Sequence, residues 1–414
     1  MGRLWSPPML RSAPALLTIL AIASAAPAQL SAAQSPTRLD GLTVRAMYEG
    51  AYKPDMVVAN FSHMERLAPS VSVSRGTAPA GILPQAARRI TTLRFALGAR
   101  SYDLNDYLAL NRVAGLIVLK DGKIAYEDYE LGARPDTLWA SFSMAKSITS
   151  TLVAVALRDG YIKSLDDPVT RYLPALRGSA YEGVSVRHLL QMSSGVAWNE
   201  VHADPTSDRR RLLEAQIAGQ PGAELRYMAT LRRAAPPGTR WNYNTGETYL
   251  VGDVVRAAVG RPLAAYLSEK IWSKLGMERD AGWWLQTDGV ETGGGGFSAT
   301  LRDYARFGLF VLDGGRIEGQ QIVPGSWFAE ATIPARSTGQ PRDLAYGYQW
   351  WLYPHMADPI HSGAFMASGI FGQTMYLNPR ERLVIVVLSA RSKPVTTTVI
   401  PDSSFFAAVA RALR

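Results

Sequence analysis

Strand-like segments lie towards both ends of the 414-residue chain, while the middle has a helical pattern. Apolar runs at residues 113–119 and 124–127 are matched, near the other end, by runs at 372–377 and 383–389. Residues from about 160 to 310 are mixed, with helical stretches and proline-marked loops. This segregation favours an α/β (α+β) fold, in which an antiparallel sheet is flanked by helices. The sheet would draw strands from both ends of the chain, with a mostly helical subdomain at about 160–310 inserted between them.

Turn residues support this assignment of strands. The runs at 113–119 and 124–127 flank Asp121 and Gly122, which tolerate the positive φ angles of a tight turn. The sequence therefore predicts a β-hairpin there. Residues 346–352 are also predicted to form a strand, and residues 405–413 a closing helix.

The first 28 residues have the pattern of a signal peptide. Arg3 and Arg11 give a positive start, and an uncharged stretch rich in alanine follows. Cleavage is predicted after Ala28, with a second option after Ala33. The alternative is an uncleaved anchor, which the shortness of the apolar run disfavours. We therefore expect an exported bacterial protein, periplasmic or secreted, with no stable membrane insertion after cleavage.

Two regions follow the signal segment. Residues 29–110 begin rich in Pro, Ala, Ser and Arg and have weak periodicity, so they are predicted to be an N-terminal extension laid over the main domain. Residues 111–414 contain the regular strand and helix patterns and are predicted to be that domain.

Composition disfavours several function classes. The net charge of +9 comes from scattered basic residues without a long run or aromatic interleaving, so no nucleic-acid partner is expected. The chain has no cysteine, which excludes a disulfide scaffold, a cysteine nucleophile and thiolate metal ligands. No two of its five histidines have metal-ligand spacing. We therefore expect no metal and no organic cofactor.

The sharpest chemical motif is Ser143 followed three residues later by Lys146, at the start of a predicted helix covering residues 143–158. Residues three apart on a helix share a face, so the hydroxyl and the amine can meet. A serine becomes a nucleophile when a neighbour takes its proton, and a buried lysine can be neutral enough to do so. The apolar residues 138–142 ahead of the motif favour a partly buried helix start.

A second candidate residue is Tyr243, which lies in a polar turn ahead of an apolar helix-like run. A tyrosine held near a lysine can relay a proton to a leaving group and later act as a base. A purely structural tyrosine has the same local pattern, because nothing in the turn itself requires chemistry.

The third candidate segment is glycine-rich and covers residues 363–373, leading into a strand. Its main-chain N–H groups could complete an oxyanion hole with the N–H of Ser143, and Gly369 would let a substrate lie close to the backbone. A simple tight turn before a strand is the alternative.

His361, just ahead of this segment, is a candidate for lining the substrate pocket. It is also the best partner for a Ser-His-Asp arrangement, although the chain has no Gly-x-Ser-x-Gly motif. The four glycines at 293–296 are predicted to form a loop at the pocket edge.

These motifs occur in an order that resembles a known superfamily. From about residue 113 to the C-terminus, the chain resembles the serine β-lactamases and penicillin-binding proteins, in their class C-like branch. Within that branch it is most similar to the 6-aminohexanoate-dimer hydrolases, a group of amidases and esterases. The segments that carry the resemblance are residues 139–147, 160–168, 186–196, 301–308, 346–351 and 369–373.

The resemblance implies a β-lactamase/transpeptidase-like fold and a serine hydrolase site. It places the nucleophile at Ser143, its lysine at Lys146 and its tyrosine at Tyr243. The oxyanion hole would consist of the backbone N–H groups of Ser143 and Ile370. The implied reaction is cleavage of a small linear amide or ester through an acyl-enzyme on the serine, without a cofactor.

Two departures from the family pattern bear on the substrate. Tyr243 is followed by Asn244 and Thr245, where lactamases usually have Tyr-x-Asn, and the chain has no Lys-Thr-Gly triplet. That lysine binds the carboxylate of a β-lactam, so its absence argues against antibiotic hydrolysis. Two alternatives stay open. One is a β-lactamase-like or D-Ala-D-Ala peptidase-like enzyme, and the other is a non-catalytic binding or sensor module.

Overall fold

The structure is a computed structural model that describes residues 1–2, 40–286, 288–341, 344–353, 358–395 and 398–414. Apart from its first two residues, the predicted signal segment and both predicted cleavage positions lie outside the described residues. From Asp40 onwards, the described residues belong to one compact unit. Within the described ranges, no helix is both long and apolar enough to cross a membrane.

The described residues form helices and strands along the whole of this unit. The α-helices are α1 (Gly41–Tyr48), α2 (Pro54–Phe61), α3 (Leu104–Leu110), α4 (Ala145–Arg158), α5 (Val186–Leu190), α6 (Asp208–Ala218), α7 (Ala223–Thr230), α8 (Thr245–Val259), α9 (Leu263–Lys270), α10 (Leu301–Leu312), α11 (Trp327–Ala331) and α12 (Asp402–Ala412). The strands are β1 (Ser70–Val73), β2 (Arg94–Leu97), β3 (Arg100–Asp103), β4 (Val113–Lys120), β5 (Lys123–Tyr129), β6 (Trp139–Ala140), β7 (Ala281–Trp284), β8 (Phe297–Ala299), β9 (Arg316–Ile317), β10 (Gln320–Gln321), β11 (Ala345–Tyr346), β12 (Trp351–Leu352), β13 (Phe365–Gly369), β14 (Gln373–Asn378) and β15 (Leu383–Ser389).

The main sheet is antiparallel and takes its strands from both ends of the unit, as predicted. Its order is β11-β12-β13-β14-β15-β4-β5, so the last strand in the chain pairs with β4. The β4–β5 hairpin turns at Asp121 and Gly122, whose φ angles are +50° and +74°. Those angles are the ones that the Asp-Gly pair was predicted to supply.

Two details of the C-terminal strands differ from the prediction. Residues 346–352 are not one strand, because a positive φ of +65° at Gln349 reverses the chain between β11 and β12. Gly347 occupies that turn, where a β-carbon would collide with the carbonyl oxygen of Ala331. The glycine-rich segment at 363–373 was predicted to lead into a strand, and it does, but it also contains a complete strand of its own, β13.

Both faces of the main sheet are covered, so its strands are apolar on both sides. In β4, Ile117 and Leu119 face a core that includes residues of α4 and α10. Leu116 and Val118 point the other way, into a core that includes residues of α3 and α12. This alternation follows from the two-residue period of a strand, and it explains why β4 is an unbroken apolar run.

The middle of the chain is largely helical, as predicted, but its last helix, α10, packs on the main sheet. Helix α10 packs on β4, β14 and β15, while α8 packs against α4. A smaller antiparallel sheet of order β1-β7-β8-β6 lies beside these helices. Its strand β6 ends at Ala140, three residues before Ser143, and so fixes the approach of the chain to that serine.

Candidate active site

Ser143 lies in a single 3₁₀ turn, Phe142–Met144, immediately before α4. Lys146 is in the first turn of α4, and its Nζ lies 3.0 Å from the Ser143 Oγ. The spacing of three residues therefore brings the two groups within hydrogen-bond distance, as predicted. Phe142, the residue before the serine, has a φ of +46°, which is uncommon for a side chain of that size. The chain thus bends sharply where it presents the hydroxyl.

The Lys146 amine is buried, with 1% of the residue exposed. Burial disfavours the charged form and lowers the pKa of Lys146 to about 7. The Glu200 carboxylate opposes this change, and the Arg209 guanidinium adds to it. A substantial fraction of the Lys146 amine is therefore neutral near pH 7 and can accept a proton.

The four glycines at 293–296 form part of the wall around Lys146. The Gly294 carbonyl accepts a hydrogen bond of 2.8 Å from Lys146 Nζ, and the Gly293 carbonyl accepts one of 2.7 Å from the Thr149 hydroxyl. A β-carbon at Gly293 would lie 2.7 Å from the Thr248 carbonyl oxygen on α8. These two glycines therefore lie in a turn, in keeping with the predicted loop, and Gly294 borders a small cavity that Ser143 also lines. They are buried between α4 and α8, because only glycine allows that approach.

Tyr243 lies two residues before α8 and faces the same lysine. Lys146 Nζ is 5.5 Å from the centre of the Tyr243 ring. The ring is stacked on Trp351, with centroids 5.4 Å apart, and Tyr346 meets it edge-on. Burial raises the pKa of the Tyr243 hydroxyl above its ordinary range, as does the Glu200 charge, while the Ser143 hydroxyl acts against the rise. The tyrosine is therefore neutral and positioned beside the serine–lysine pair.

The end of β13 lies directly against Ser143. A β-carbon at Gly369 would be 3.0 Å from the Ser143 backbone nitrogen and closer still to the Ser141 carbonyl oxygen. Gly369 has an ordinary φ of −125°, so glycine is needed here for space rather than for conformation. Ile370, the next residue, lines the same cavity as Ser143. The two predicted oxyanion-hole residues are thus brought together.

Ser143 opens into a cavity of about 740 Å³. Its walls include Tyr243, Trp351 and the end of β13. Charged residues of both signs also line it, and they are Glu49, Glu200, Arg391, Lys393 and Asp402. A cavity of this size with a few polar groups suits a small organic molecule.

Sequence reasoning missed three charged or polar residues around the lysine. Glu200 accepts hydrogen bonds from the backbone N–H and the hydroxyl of Thr245, at the start of α8. His202 stacks on Tyr48, with ring centroids 5.6 Å apart. Arg209 donates to the Tyr48 hydroxyl. None of these residues belongs to a recognisable motif, so their positions became evident only in the folded chain.

The structure does not place His361 at this site. Its ring nitrogens contact the Tyr376 hydroxyl at 2.8 Å and the Ser403 carbonyl at 3.0 Å, and the ring stacks on Tyr353. Tyr376 belongs to the core on the face of the sheet opposite to α4. The prediction that His361 lines the substrate pocket or pairs with the serine is therefore wrong. Both ring nitrogens are already used in packing the far side of the sheet.

Within the part of the chain that the structure describes, no group of three or more His, Asp or Glu side chains is arranged to hold a metal ion. The described residues around Ser143 instead supply a hydroxyl, a buried amine, a phenol and backbone amides.

Comparisons with known proteins agree with this geometry. The Beta-lactamase family profile matches residues 111–403. The chain is 30% identical over 349 residues to the 6-aminohexanoate-dimer hydrolase of Paenarthrobacter ureafaciens, covering 81% of this chain and 86% of that protein. It is 33% identical over 181 residues to the esterase EstB of Burkholderia gladioli, covering 40% and 45% of the two chains.

Solved structures share the fold. A Bacillus anthracis protein assigned as a 6-aminohexanoate-dimer hydrolase superposes with a TM-score of 0.73 and 24% identity, covering 86% of this chain and 92% of that one. The octameric penicillin-binding protein homologue of Pyrococcus abyssi gives a TM-score of 0.58 at 19% identity, with 75% of each chain covered. The chain therefore belongs to the beta-lactamase family and has its fold, and it is a hydrolase of the serine type.

Proposed function

We propose that this hydrolase cleaves small linear amides or esters through an acyl-enzyme on Ser143. The observation that carries the proposal is the buried Lys146 amine 3.0 Å from the Ser143 hydroxyl. A lysine with a pKa of about 7 is neutral often enough to accept the serine proton at physiological pH.

In the proposed acylation, Lys146 takes the hydroxyl proton as Ser143 Oγ bonds to the substrate carbonyl carbon. The electron pair of the C=O bond moves to oxygen, and the N–H groups of Ser143 and Ile370 stabilise the resulting oxyanion. When the carbonyl re-forms, the C–N or C–O bond breaks. Tyr243 gives its proton to the leaving group and recovers one from Lys146.

Deacylation runs through the same groups in reverse. A water molecule loses a proton to Tyr243 or Lys146 and attacks the acyl carbon, and Ser143 leaves with that proton. The neutral Tyr243, stacked on Trp351, is suited to giving and taking this proton because its ring is held in place.

The substrate class rests on two observations. The relative from Paenarthrobacter ureafaciens is named for hydrolysis of the 6-aminohexanoate dimer, and EstB is named an esterase. In addition, β13 has Ala367, Ser368 and Gly369 ahead of Ile370, where lactamases carry Lys-Thr-Gly ahead of the oxyanion residue. The missing lysine argues against β-lactams as the preferred substrates.

The test compares the wild-type enzyme with Ser143→Ala on a p-nitrophenyl ester and on the linear 6-aminohexanoate dimer. We expect Ser143→Ala to lower kcat/KM by at least about 10³-fold on both substrates. Ser141→Ala is the matched control, because it removes a buried hydroxyl two residues away that donates to the Phe142 carbonyl. Equal activity of wild type and Ser143→Ala would reject the proposed nucleophile.

The same preparation separates the alternative functions. Turnover of nitrocefin or of a D-Ala-D-Ala peptide faster than of linear substrates would favour a β-lactamase-like or peptidase-like enzyme. Mass spectrometry that detects a lasting acyl adduct on Ser143, without release, would favour a binding or sensor module.

We also propose that residues 1–28 direct export of the chain. The support is the charged start, the alanine-rich run and the cleavage pattern at Ala28. N-terminal sequencing of the protein recovered from the periplasm or the medium tests this. A mature chain beginning at residue 29 or 34 is expected, and an intact N-terminus would contradict the proposal.

A further inference from the structure

We propose that Arg209 is a positioning residue whose buried charge, which forms no ion pair among the described residues, helps to keep the Lys146 amine unprotonated. The inference rests on the proposed function, because it concerns the base that activates Ser143. It assigns a role to a side chain on α6 that touches neither the nucleophile nor the predicted oxyanion hole.

Arg209 is unusual because it is a buried cation that forms no ion pair among the described residues, although the Glu200 carboxylate is close enough to raise the pKa of its guanidinium. It is 2% exposed, one Nη donates to the Tyr48 hydroxyl, and the guanidinium lies 4.6 Å from the centre of the Tyr48 ring. Its other Nη is buried without a hydrogen-bond partner. A phenol and an aromatic face stabilise a cation, but they do not cancel its charge.

The next residue provides a contrast within the same helix. Arg210 is 3% exposed, yet its guanidinium forms a 2.9 Å ion pair with Glu49 and donates to the His202 carbonyl. Of these two adjacent buried arginines, therefore, only the second forms an ion pair with a carboxylate. A buried charge is costly unless it is paired, so the absence of an ion pair for Arg209 calls for a reason.

Arg209 borders the space around the nucleophile. A small cavity behind Ser143 is lined by Arg209, by Thr245 and by Gly294, whose carbonyl accepts the Lys146 hydrogen bond. Gly294 thus contacts the amine and borders the same cavity as Arg209, so the guanidinium acts on the lysine within a buried region, where charges are weakly screened. A positive charge in that position disfavours a second one on the lysine.

Other titratable groups surround Lys146, and one of them acts on the pKa of the amine in the direction opposite to Arg209. Glu200 favours the charged amine. His202 is neutral, because burial lowers its pKa to about 4. Tyr243 is neutral, because burial raises its pKa.

Helix α8, which packs against α4, carries the remaining titratable groups near the lysine. Burial raises the pKa of both Tyr249 and Glu247, in the latter case to about 8, so both are neutral at pH 7. Asp253 is paired with Arg256 at 2.8 Å. Glu200 and Arg209 are therefore the two charges that act on the amine, in opposite directions and with the larger effect from Glu200, and Arg209 is the one that favours the neutral base.

The test is the acid limb of kcat/KM for a p-nitrophenyl ester, measured from pH 5 to pH 10. In Arg209→Met the limb should move to higher pH by about one unit. The variant would then lose about tenfold in kcat/KM at pH 6 and approach wild type above pH 9. Arg209→Lys keeps the charge and should restore the wild-type limb.

Arg210→Met is the matched control, since it removes a neighbouring arginine whose charge is already paired. It should lower stability without moving the limb. A limb that stays in place in folded Arg209→Met, or a loss of activity by the same factor at every pH, would show a structural role instead. If Arg209→Met does not fold, Arg209→Gln retains a donor for Tyr48 and should show the same displacement.

A measurement independent of turnover separates this inference from the proposed function. NMR titration of the ¹³Cε resonance of Lys146, identified by its loss in Lys146→Met, reports the amine directly. We expect its midpoint near pH 7 in the wild type and about one unit higher without Arg209. A wild-type midpoint near 10 would overturn the inference, whereas an inactive enzyme with the expected midpoints would reject only the proposed function.

Discussion

The contact between Gly369 and Ser143 gives a sharp test of the proposed oxyanion hole. In Gly369→Ala, the new β-carbon would lie 3.0 Å from the Ser143 nitrogen and closer to the Ser141 carbonyl oxygen, whereas ordinary contacts begin at 3.4 Å. Both opposing atoms belong to the backbone, so neither can swing aside as a flexible side chain would. The end of β13 must therefore move away from Ser143, by a distance on the order of 1 Å, and Ile370 moves with it.

The size of the expected effect follows from this movement. Removing one donor from an oxyanion hole costs about 10²–10³-fold in kcat, which corresponds to about 3–4 kcal/mol of transition-state stabilisation. Substrate binding depends on the whole cavity of about 740 Å³, so KM should change much less. We expect kcat for a p-nitrophenyl ester to fall by about 10²-fold, with KM within about threefold of wild type.

The assay needs a control for the effect of an added methyl group in a strand. Gly282→Ala serves this purpose, because Gly282 lies in β7, and a β-carbon there would have no atom within 4 Å. Its kcat should equal that of the wild type. If Gly369→Ala unfolds at the wild-type temperature and keeps kcat within twofold, the hole is not formed by Ser143 and Ile370.

Three further predictions follow from buried titratable groups. Since burial lowers the pKa of Lys146 to about 7, kcat/KM should fall about tenfold per pH unit below about pH 6; a plateau down to pH 5 would exclude this base. Burial raises the pKa of Glu247 from 4.5 to about 8, so the folded state holds a proton that the unfolded chain releases, and stability should fall by up to about 4 kcal/mol as pH rises from 4.5 to 8. Glu247→Gln should remove that fall in urea unfolding, and a Gln variant as pH-sensitive as wild type would refute the assignment. His361→Phe should lower the free energy of unfolding by about 1–3 kcal/mol, while kcat/KM stays within about twofold of the wild-type value. A large loss of activity in a folded variant would instead indicate that His361 takes part in catalysis or substrate binding.

Local patterns in the sequence were enough to predict the parts of the site that depend on local geometry. The distance between Ser143 and Lys146 is set by three residues of helical backbone, and the β4–β5 turn by two residues that accept positive φ. Both features depend mainly on the backbone geometry of a few neighbouring residues, so local sequence patterns can predict them.

Predictions failed where a contact distant in sequence overrode the local pattern. Residues 346–352 have the apolar character of a strand, but the Ala331 carbonyl occupies the space beside Gly347 and the chain turns there. His361 precedes a glycine-rich segment that reaches the site, yet its own ring packs under Tyr376 on the other face of the sheet. A two-residue period cannot say which face of a doubly covered sheet carries the chemistry.

What makes Lys146 a base is also tertiary. An S-x-x-K spacing places an amine beside a hydroxyl, but a solvated lysine there would stay protonated and inert. Burial favours loss of its proton, and the wall that buries it includes Gly294, 148 residues away in sequence. We propose that Arg209 on α6 adds to this effect. Arg209 is in turn held by Tyr48, which lies outside the 111–403 segment that matches the family. The segment that matches the family contains the proposed nucleophile and its partners, whereas the pH at which we expect them to work depends in part on a segment outside that match.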